Sequence, residues 1–360
     1  MPSKGTILWS IGTALPAHRI SQEQACLFMA ACFPKDRVLA RRLRYLYRRS
    51  QIQFRHTCGA EFTGMPGDLA GEAGTAQRMA VYEKQAAPLA EAAARQALQD
   101  LFQPDEITHL IAVTCTGFFA PGPELVLVER LGLRREVRRL QIGFMGCQAA
   151  LQGLQMADAI CRSDAAAVVL LVCVELCTLH FCRTPTEENL VVNSLFADGA
   201  AAALLSAPGR RQGRGLCALE GFASYVVPHT PELLSWRIGD QGFRMGLDVA
   251  VPRAVGRAVP AFVEGLLAAG DWVQDQVDFW AVHPGGRAIL EAVERALALP
   301  GDALEPARAV LREYGNMSSP TLLFVLDRIL AQGRPGRGVA LSFGPGLSLE
   351  GMRWRRGNSG

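Results

Sequence analysis

Long apolar runs separated by amphipathic segments dominate the first half of the chain and predict a covered parallel sheet. The runs at 108–116 and 165–175 are almost continuously apolar, and a third run at 138–144 lies between them. Such strands are typical of sheets covered by helices on both faces, and the strand, helix, strand order predicts βαβ units. A first strand is predicted near the N-terminus, and helices are predicted at 37–50, 85–102, 123–131 and 148–161.

The second half repeats this order of elements. Helices are predicted at 250–269, 285–299 and 320–331, and strands at 277–284 and 338–346. The run 277–284 resembles 108–116, and a glycine turn beside an apolar strand occurs in both 196–206 and 338–352. The repetition predicts two similar α/β halves related by a pseudo-twofold axis.

The boundary between the halves is predicted in the Gly- and Arg-rich stretch 208–216, which has no periodicity. The two halves are therefore assigned to residues 1–207 and 208–360. The last residues, 353–360, are expected to fray.

Composition and charge exclude several classes of protein. Hydrophobic residues make up 49% of the 360 residues and charged residues 20%, so the chain is predicted to be globular. The net charge of +3 demands no polyanionic partner, and no nucleic-acid partner is expected. No apolar run is long enough to span a membrane, so a soluble protein without membrane insertion is expected. The ten cysteines form no spaced framework, which predicts reduced thiols and a cytoplasmic location.

Two local patterns have alternative interpretations. Six arginines lie within the thirteen residues of the predicted helix 37–49. They form either a solvated face or a clamp for phosphates, and a nucleic-acid site is the weaker form of the second idea. Cys173, Cys177 and Cys182 have spacers of three and four residues, but their place on a buried strand and its exit favours packing over zinc binding. No metal site is predicted.

Three side chains at the ends of predicted elements are candidates for chemistry. Cys147 follows a strand, sits in a glycine turn and opens a helix, where free N–H groups and the helix dipole stabilise a thiolate. A buried structural cysteine is the alternative. His283 ends a strand at the carboxyl edge of the sheet, and Asn316 lies in a turn that precedes a helix. Each alone is typical of a hydrogen-bonding cap, but the set of three in a duplicated pattern predicts a site.

These motifs resemble those of a known family. Cys147 in GFMGCQAALQGL, His283 in WAVHPGG, Asn316 in YGNMSSPTLLFVL and the late loop 342–347 resemble, in order and spacing, the type III polyketide synthases. These are the chalcone synthase-like branch of the thiolase superfamily, and the likeness extends from about residue 5 to 355. The resemblance implies a thiolase-like, five-layered α-β-α-β-α fold and a homodimer. It places the nucleophilic cysteine in the first half and the His and Asn in the second.

The resemblance also implies the activity, which is iterative decarboxylative condensation of malonyl-CoA onto an acyl-CoA starter. Cys147 would hold the starter as a thioester, and His283 would keep its thiol ionised. His283 and Asn316 would then stabilise the enolate that malonyl-CoA forms on losing CO2. The CoA thioesters are substrates, and no cofactor is implied.

Further positions are assigned to substrate binding by the same resemblance. Phe196 and Phe243 match gatekeeping aromatics, although core packing is an equal alternative for Phe243. Arg42 and Arg49 match basic residues that bind the CoA phosphates, and a third such position falls on Tyr45. The remaining cavity positions are Cys115, Thr116, Ala120, Cys177, His180, Ser318, Gly344, Pro345 and Gly346.

Departures from the plant enzymes bear on the product. Cys115-Thr116-Gly117 stands where plant chalcone synthases have Thr-Ser-Gly, and Ala120 replaces a methionine that crosses the dimer. These features resemble bacterial enzymes that make alkylpyrones or alkylresorcinols from long acyl starters. A malonyl-primed tetrahydroxynaphthalene-type synthase and a ketoacyl-ACP synthase III-like enzyme stay open. Glu175 either activates water for an aldol cyclisation or is a buried, paired carboxylate.

Overall fold

The computed structural model describes residues 5–59, 73–99, 101–213 and 215–357. The strands of the first half are β1 (Ile7–Ala14), β2 (His18–Ser21), β3 (Phe54–Thr57), β4 (His109–Thr114), β5 (Arg138–Gly143), β6 (Val168–Leu176) and β7 (Asp198–Ser206). Its helices are α1 (Gln22–Ala31), α2 (Arg37–Arg49), α3 (Thr75–Leu98), α4 (Pro123–Leu131), α5 (Ala149–Ser163) and α6 (Glu187–Leu195).

The second half has a similar order of strands and helices. Its strands are β8 (Cys217–Val226), β9 (Leu234–Gly239), β10 (Gly242–Leu247), β11 (Phe279–Val282), β12 (Gly336–Gly344) and β13 (Ser348–Arg356). Its helices are α7 (Val251–Ala268), α8 (Arg287–Ala296), α9 (Glu305–Tyr314) and α10 (Pro320–Leu330). The elements predicted from periodicity are present, with α4 at the predicted bounds and most others within a few residues of theirs.

The strand order repeats between the halves. The described strands form a nine-stranded sheet in the order β11-β12-β13-β8-β1-β7-β6-β4-β5. Strands β4, β6, β7 and β1 follow one another as β11, β12, β13 and β8 do, with the first pair parallel and the others antiparallel. The halves are joined through β1 and β8 at only two residue pairs, Ile7 with Ala218 and Leu8 with Cys217. This equivalence confirms the predicted duplication.

Helices cover the strands in layers. Helix α5 contacts β4, β6 and β13, and α10 contacts β6, β7 and β11, so both lie between the strands of the two halves. Helix α10 is buried along most of its length, as expected for a central layer. Helices α3 and α4 cover the first half on its outer face, and α7 packs on β8 and β13 of the second. The predicted α-β-α-β-α layers are therefore observed.

The C-terminal segment differs from the prediction. Residues 353–356 do not fray but complete β13, which pairs with both β12 and β8. Trp354 is fully buried and stacks on Phe279 with ring centroids 5.6 Å apart. Gly338 makes room for it, since a Cβ there would lie 2.0 Å from Trp354 Cε2. Three arginines surround the one tryptophan and leave no apolar pattern, so this end of the strand was missed.

Several other elements were also missed. Strands β2, β3, β8, β9 and β10 and helices α1, α6 and α9 were not predicted, and α9 and the hairpin formed by β9 and β10 are short and carry many polar residues. Residues 208–213 and 215–216 connect β7 to β8 without helix or strand. The exact boundary at residue 207 stays a prediction.

Replacing Trp354 by alanine is expected to lower the free energy of unfolding by about 3–5 kcal/mol, because it removes a large buried ring and leaves a cavity. Denaturant titration followed by circular dichroism measures this change. Trp354→Phe keeps an aromatic ring against Phe279 and is expected to cost less than half as much. A loss below about 0.5 kcal/mol for the alanine variant would mean that this segment is not part of the sheet in solution.

Candidate active site

The turn that carries Cys147 is bent sharply and held by the second half. Phe144 and Gly146 have left-handed backbone angles, with φ of 56° and 70°. At Phe144 this conformation costs about 1–2 kcal/mol. A Cβ at Gly146 would lie 2.6 Å from Pro345 Cδ, and Ser342 Oγ donates to the Cys147 carbonyl at 3.0 Å. Strand β12 and its exit loop therefore fix the position of the nucleophile turn.

His283 lies directly after β11 and is 1% exposed. Its backbone N–H donates to the Leu341 carbonyl at 2.8 Å, which continues the pairing with β12. Neither ring nitrogen has a hydrogen-bond partner among the residues that the structure describes. Burial lowers the pKa of the imidazole to about 3, so the neutral ring is favoured. Unpaired buried nitrogens are uncommon, and here they leave the ring available to a reacting group.

Asn316 ties three segments together. Its Nδ2 donates to the Gly285 carbonyl at 3.2 Å, and its Oδ1 accepts from the Ser318 N–H at 2.8 Å. Its backbone pairs with the segment that contains Phe196, through Leu195 and Ala197. These bonds fix the orientation of the amide, so one N–H is held by Gly285 and the other is not required by this network.

Cys147, His283 and Asn316 line one cavity, as the sequence predicted for a common site. Burial raises the pKa of the Cys147 thiol to about 11, while hydrogen bonds with Ser318 and Asn316 act in the opposite direction. Hydrogen bonds therefore offset only part of the effect of burial, and the isolated thiol is favoured in its protonated form. The predicted ion pair requires the thiol proton to pass to His283, because each group alone is favoured in its neutral form.

A buried carboxyl lies behind the nucleophile. Glu175 is fully buried and accepts from Thr116 Oγ1 and Ser319 Oγ, both at 2.7 Å, and from the Cys115 N–H at 3.0 Å. Burial raises its pKa, and these bonds oppose the shift. Cys115 Sγ bridges Glu175 Oε1 at 3.3 Å and Ser318 Oγ at 3.6 Å. Polar side chains thus connect the carboxyl to the residue that contacts Cys147.

Aromatic rings form one wall of the cavity. Phe243 is 3% exposed and stacks on His180, with centroids 4.2 Å apart and an interplanar angle of 11°. His180 Nδ1 accepts from the Phe243 N–H at 2.9 Å, so its Nε2–H donates to the Thr116 carbonyl at 2.7 Å. Burial lowers the pKa of this imidazole to about 4. Phe243 is therefore both a packed core residue and a cavity wall, which unites the two interpretations.

Most of the predicted substrate positions reach this cavity. Those that line it are Cys115, Thr116, Cys177, His180, Phe196, Phe243, Ser318, Gly344 and Pro345. Ser318 adopts a left-handed conformation with φ of 59°. Cys182 also lines the cavity, whereas Cys173 is buried within β6.

Four predicted positions lie outside the cavity lining of this chain. Ala120 is exposed, because its loop runs over the surface after β4. Gly346 is part of the turn after β12, where its N–H donates to the Leu234 carbonyl. Arg42 pairs with Glu187 at the start of α6, and Arg49 donates to Tyr45 Oη. Both arginines are exposed on α2, beside helices that do line the cavity.

Family models for the N-terminal and C-terminal domains of chalcone and stilbene synthases match residues 2–208 and 219–356. The chain belongs to the chalcone and stilbene synthase family. It is an acyltransferase of the type III polyketide synthase class, as the sequence motifs predicted.

Individual relatives span nearly the whole chain. The synthase is 30% identical to the alpha-pyrone synthesis polyketide synthase-like Pks18 of Mycobacterium tuberculosis, over 98% of this chain and 91% of that protein. It is 32% identical to the 1,3,6,8-tetrahydroxynaphthalene synthase of Streptomyces peucetius subsp. caesius, over 98% and 94%. It is 28% identical to the probable polyketide synthase 1 of Dictyostelium discoideum, over 97% of this chain but only 11% of that much longer protein.

A solved structure shows the same architecture. The C-terminal type III polyketide synthase domain of Steely1, a type I/III hybrid from Dictyostelium, superposes with a TM-score of 0.93 at 27% identity. The match covers 98% of this chain and 99% of that one. The layers described above are therefore those of the thiolase-like fold.

The described part of the synthase has neither a membrane-spanning helix nor a cluster of metal ligands. Within residues 5–59, 73–99, 101–213 and 215–357, no helix is long and apolar enough to cross a membrane. The same described residues contain no group of three or more His, Cys, Asp or Glu side chains arranged to hold a metal ion.

Sequence reasoning missed several cavity residues of the synthase. Trp236 and Met245 come from the hairpin β9–β10, and Trp236 Nε1 donates to the Cys115 carbonyl at 2.7 Å. The alternation of apolar and polar residues in LSWRIG was the pattern that could have predicted strand β9. Arg55 is 4% exposed, and its Nη1 donates to the carbonyls of Asn193 and Phe196 at the end of α6. A lone arginine in a four-residue strand gave no signal.

Coupling between Cys147 and His283 predicts a pH signature. In His283→Ala the imidazole is gone, whereas burial, the hydrogen bonds with Ser318 and Asn316 and the charge of Glu175 still act on the thiol, so its apparent pKa is expected near 11. In the unsubstituted synthase, thiolate and imidazolium stabilise each other, and the midpoint is expected about 2 pH units lower or more. The pH dependence of alkylation by iodoacetamide, followed on the Cys147 peptide by mass spectrometry, measures both.

His56→Ala serves as the matched control, because His56 is a partly buried histidine outside the cavity lining. Its profile is expected to match that of the unsubstituted synthase. Identical profiles for the unsubstituted protein and His283→Ala would rule out coupling between the thiol and the imidazole.

Proposed function

We propose that the synthase loads an acyl-CoA starter on Cys147, extends it by iterative decarboxylative condensation of malonyl-CoA, and releases a cyclised alkylpyrone or alkylresorcinol. The observation that carries this proposal is the meeting of Cys147, His283 and Asn316 in one largely apolar cavity. A nucleophile, a neutral base without a partner and an oriented amide are the groups that the two half-reactions need.

Loading uses the first two groups. The Cys147 sulfur attacks the thioester carbonyl, its proton passes to His283, and the CoA thiolate leaves and takes a proton. The empty hydrogen-bonding positions of both imidazole nitrogens support this role. The raised pKa of the isolated thiol also protects it until a substrate is present, because a thiol reacts far more slowly than a thiolate.

Extension of the chain uses the imidazole of His283 and the amide of Asn316. Malonyl-CoA loses CO2 to give an enolate, whose negative oxygen lies between the His283 and Asn316 donors. The enolate carbon then attacks the carbonyl carbon of the Cys147 thioester, and the bond from that carbon to the Cys147 sulfur breaks. The lengthened chain is now a CoA thioester, and it is transferred back to the Cys147 sulfur, with release of CoA, before the next cycle. Phe196 and the stacked Phe243 present an apolar surface beside these donors, which disfavours the malonyl carboxylate relative to released CO2. The condensation transfers no electrons to an external acceptor.

The CoA phosphates are assigned to Arg42 and Arg49. Both side chains are exposed on the face of α2 next to α6, whose residues Asn189 and Asn193 line the cavity. Arg42 must exchange its exposed partner Glu187 for a phosphate, and such surface pairs are worth only about 0–1 kcal/mol. Tyr45 occupies the position that matches the third basic residue of the plant enzymes, and it supplies a hydroxyl beside Arg49 there.

The wall near Cys177 and His180 favours an apolar starter. Both are neutral, buried side chains, and the adjoining residues Leu234, Leu247 and Val251 are aliphatic. The relative from Mycobacterium tuberculosis is named for alpha-pyrone synthesis. Lactone or aldol closure is then decided at the polar chain from Ser318 through Cys115 to Glu175, which offers a site for activating water.

A malonyl-primed, tetrahydroxynaphthalene-type reaction is the second candidate. It is favoured by Cys115, whose position in the cavity wall gives a second thiol near Cys147, and by the relative from Streptomyces peucetius that bears this name. Incubating the purified synthase with malonyl-CoA alone, and then with added acyl-CoAs, separates the two by the mass of the products.

We further propose that the synthase is a cytoplasmic homodimer. Strand β5 lies at the edge of the described sheet, and apolar side chains near it are exposed, namely Leu140, Met145 and Met156. An unpaired edge beside apolar residues is suited to association with a second copy.

Asn316→Ala is expected to accept a starter on Cys147 at a near-normal rate but to release CO2 from malonyl-CoA about 100 to 1,000 times more slowly, because one enolate donor is lost. Intact-protein mass spectrometry measures acylation, and labelled CO2 measures decarboxylation. Asn189→Ala removes another cavity-lining amide and is the matched control. Undiminished CO2 release from the Asn316 variant would remove Asn316 from the mechanism.

Cys177→Phe is expected to reduce kcat/KM for dodecanoyl-CoA at least about tenfold more than for butanoyl-CoA, because the ring occupies space at the cavity wall. Cys177→Ser conserves volume and is expected to leave the ratio nearly unchanged. Competition between the two starters, read by product mass, gives the ratio directly. An equal loss for both starters would place the acyl chain elsewhere.

A further inference from the structure

Helix α2 presents two separate sets of arginines. At about 100° per residue, Arg42 and Arg49 project about 120° around the helix from a second row. That row consists of Arg37, Arg41, Arg44 and Arg48, which lie within about 60° of one another and span about 16 Å along the axis. The buried positions Leu39, Leu43 and Tyr47 lie on the remaining side.

The second row has no partner in the part of the chain that the structure describes. Its four side chains are exposed, and no described carboxylate forms an ion pair with any of them. Residues 22–50 carry seven basic and two acidic side chains, whereas the whole chain has a net charge of only +3. Positive charge is therefore concentrated on this one surface.

The row lies next to the wall of the active-site cavity. Helix α2 packs on α6, and Tyr47 Oη donates to the Asn193 carbonyl at 3.3 Å. Asn189, Val192 and Asn193 of α6 line the cavity. A partner on the outer face of α2 is thus separated from the cavity by the two helices α2 and α6, with Arg42 and Arg49 on the flank of α2.

The shape of the row favours an acidic helix over other anions. The CoA phosphates are assigned to Arg42 and Arg49, which lie on a different face of α2 from the four arginines of the row. A helix with carboxylates at the same i, i+4, i+7, i+11 spacing matches the row one to one. A membrane surface would favour a broad basic face with apolar side chains among the charges. The exposed Val38 and Tyr45 instead lie on the flank toward Arg42 and Arg49.

We propose that Arg37, Arg41, Arg44 and Arg48 dock an acidic helical carrier protein that delivers the starter as a phosphopantetheine thioester. The proposal rests on the proposed function, because it supplies the same acyl group to Cys147. The pantetheine arm of such a carrier is chemically that of CoA. Malonyl-CoA remains the extender, so the two substrates arrive by different routes.

The transfer balances without a further reagent. A bond forms between the Cys147 sulfur and the acyl carbon, and the bond between that carbon and the pantetheine sulfur breaks. The thiol proton of Cys147 passes by way of His283 to the leaving pantetheine thiolate. The carrier leaves with a free thiol, and nothing is oxidised or reduced.

The test compares two donors of one acyl group, dodecanoyl-CoA and a bacterial fatty-acid-synthase acyl carrier protein loaded with dodecanoate. The variant R37Q/R41Q/R44Q/R48Q is expected to lose at least about tenfold in the rate of Cys147 acylation by the carrier, and less than about twofold with dodecanoyl-CoA. Glutamine preserves helix propensity, and the reaction with dodecanoyl-CoA reports whether the variant is folded. Raising the salt from about 0.05 M to about 0.5 M is expected to slow only the carrier reaction strongly.

A matched pair of double variants isolates position from charge. R44Q/R48Q and R253Q/R257Q each remove two exposed arginines four residues apart on a helix, but only the first pair belongs to the row. The first is expected to slow acylation by the carrier and the second to leave it unchanged. Equal effects would show a response to net charge alone and would overturn the proposal.

Two further outcomes are decisive. Equal carrier rates for the four-site variant and the unsubstituted synthase, with normal acylation by dodecanoyl-CoA, would overturn docking while leaving the proposed function intact. Failure of both donors to acylate Cys147 would instead count against the proposed function. Row-dependent sedimentation with phosphatidylglycerol vesicles, together with unchanged carrier rates, would reassign the row to membranes and overturn the proposal.

Discussion

The chemistry of this synthase depends on close contact between its two halves around Cys147. Ser342 Oγ donates to the Cys147 carbonyl, Pro345 lies against Gly146, and a Cβ at Gly344 would collide with the Gln148 side chain. The nucleophile therefore belongs to the first half by sequence but is positioned by the second. His283 and Asn316 come from that same second half, so one set of contacts aligns all three groups.

Burial of the site both strengthens its hydrogen bonds to reacting groups and keeps its ionisable side chains neutral before the reaction. In a cavity that disfavours charge, Cys147 and His283 are each held neutral, and Glu175 behind them has a raised pKa. Charges that develop during reaction meet few competing waters, which strengthens each hydrogen bond to them. Among the described residues that line the cavity, the arginines are Arg55 and Arg244, and Arg55 is held by the carbonyls of Asn193 and Phe196.

Much of this architecture was predictable from the sequence, and the failures have physical causes. Strands β4 and β6 and helix α10 could be predicted from the period and length of their apolar runs. Cys147, His283 and Asn316 could be identified as candidates because they lie at the ends of predicted elements. The hairpin that carries Trp236 is too short and too polar for either period to stand out. Ala120 and Gly346 were assigned to substrate binding by resemblance alone. In the structure of the single chain, neither residue lines the cavity. The pKa directions depend on burial by residues distant in sequence, which no local pattern encodes.

The repeated strand order has a consequence for the history of the molecule. Two units with one topology, joined into one sheet where β1 pairs with β8, are the pattern expected from duplication and fusion of a smaller gene. In the ancestor, the contacts now made within a single polypeptide would have been made between identical copies. After such a fusion each half could change independently of the other. In this chain the first half supplies the Cys147 sulfur, and the second supplies the His283 imidazole.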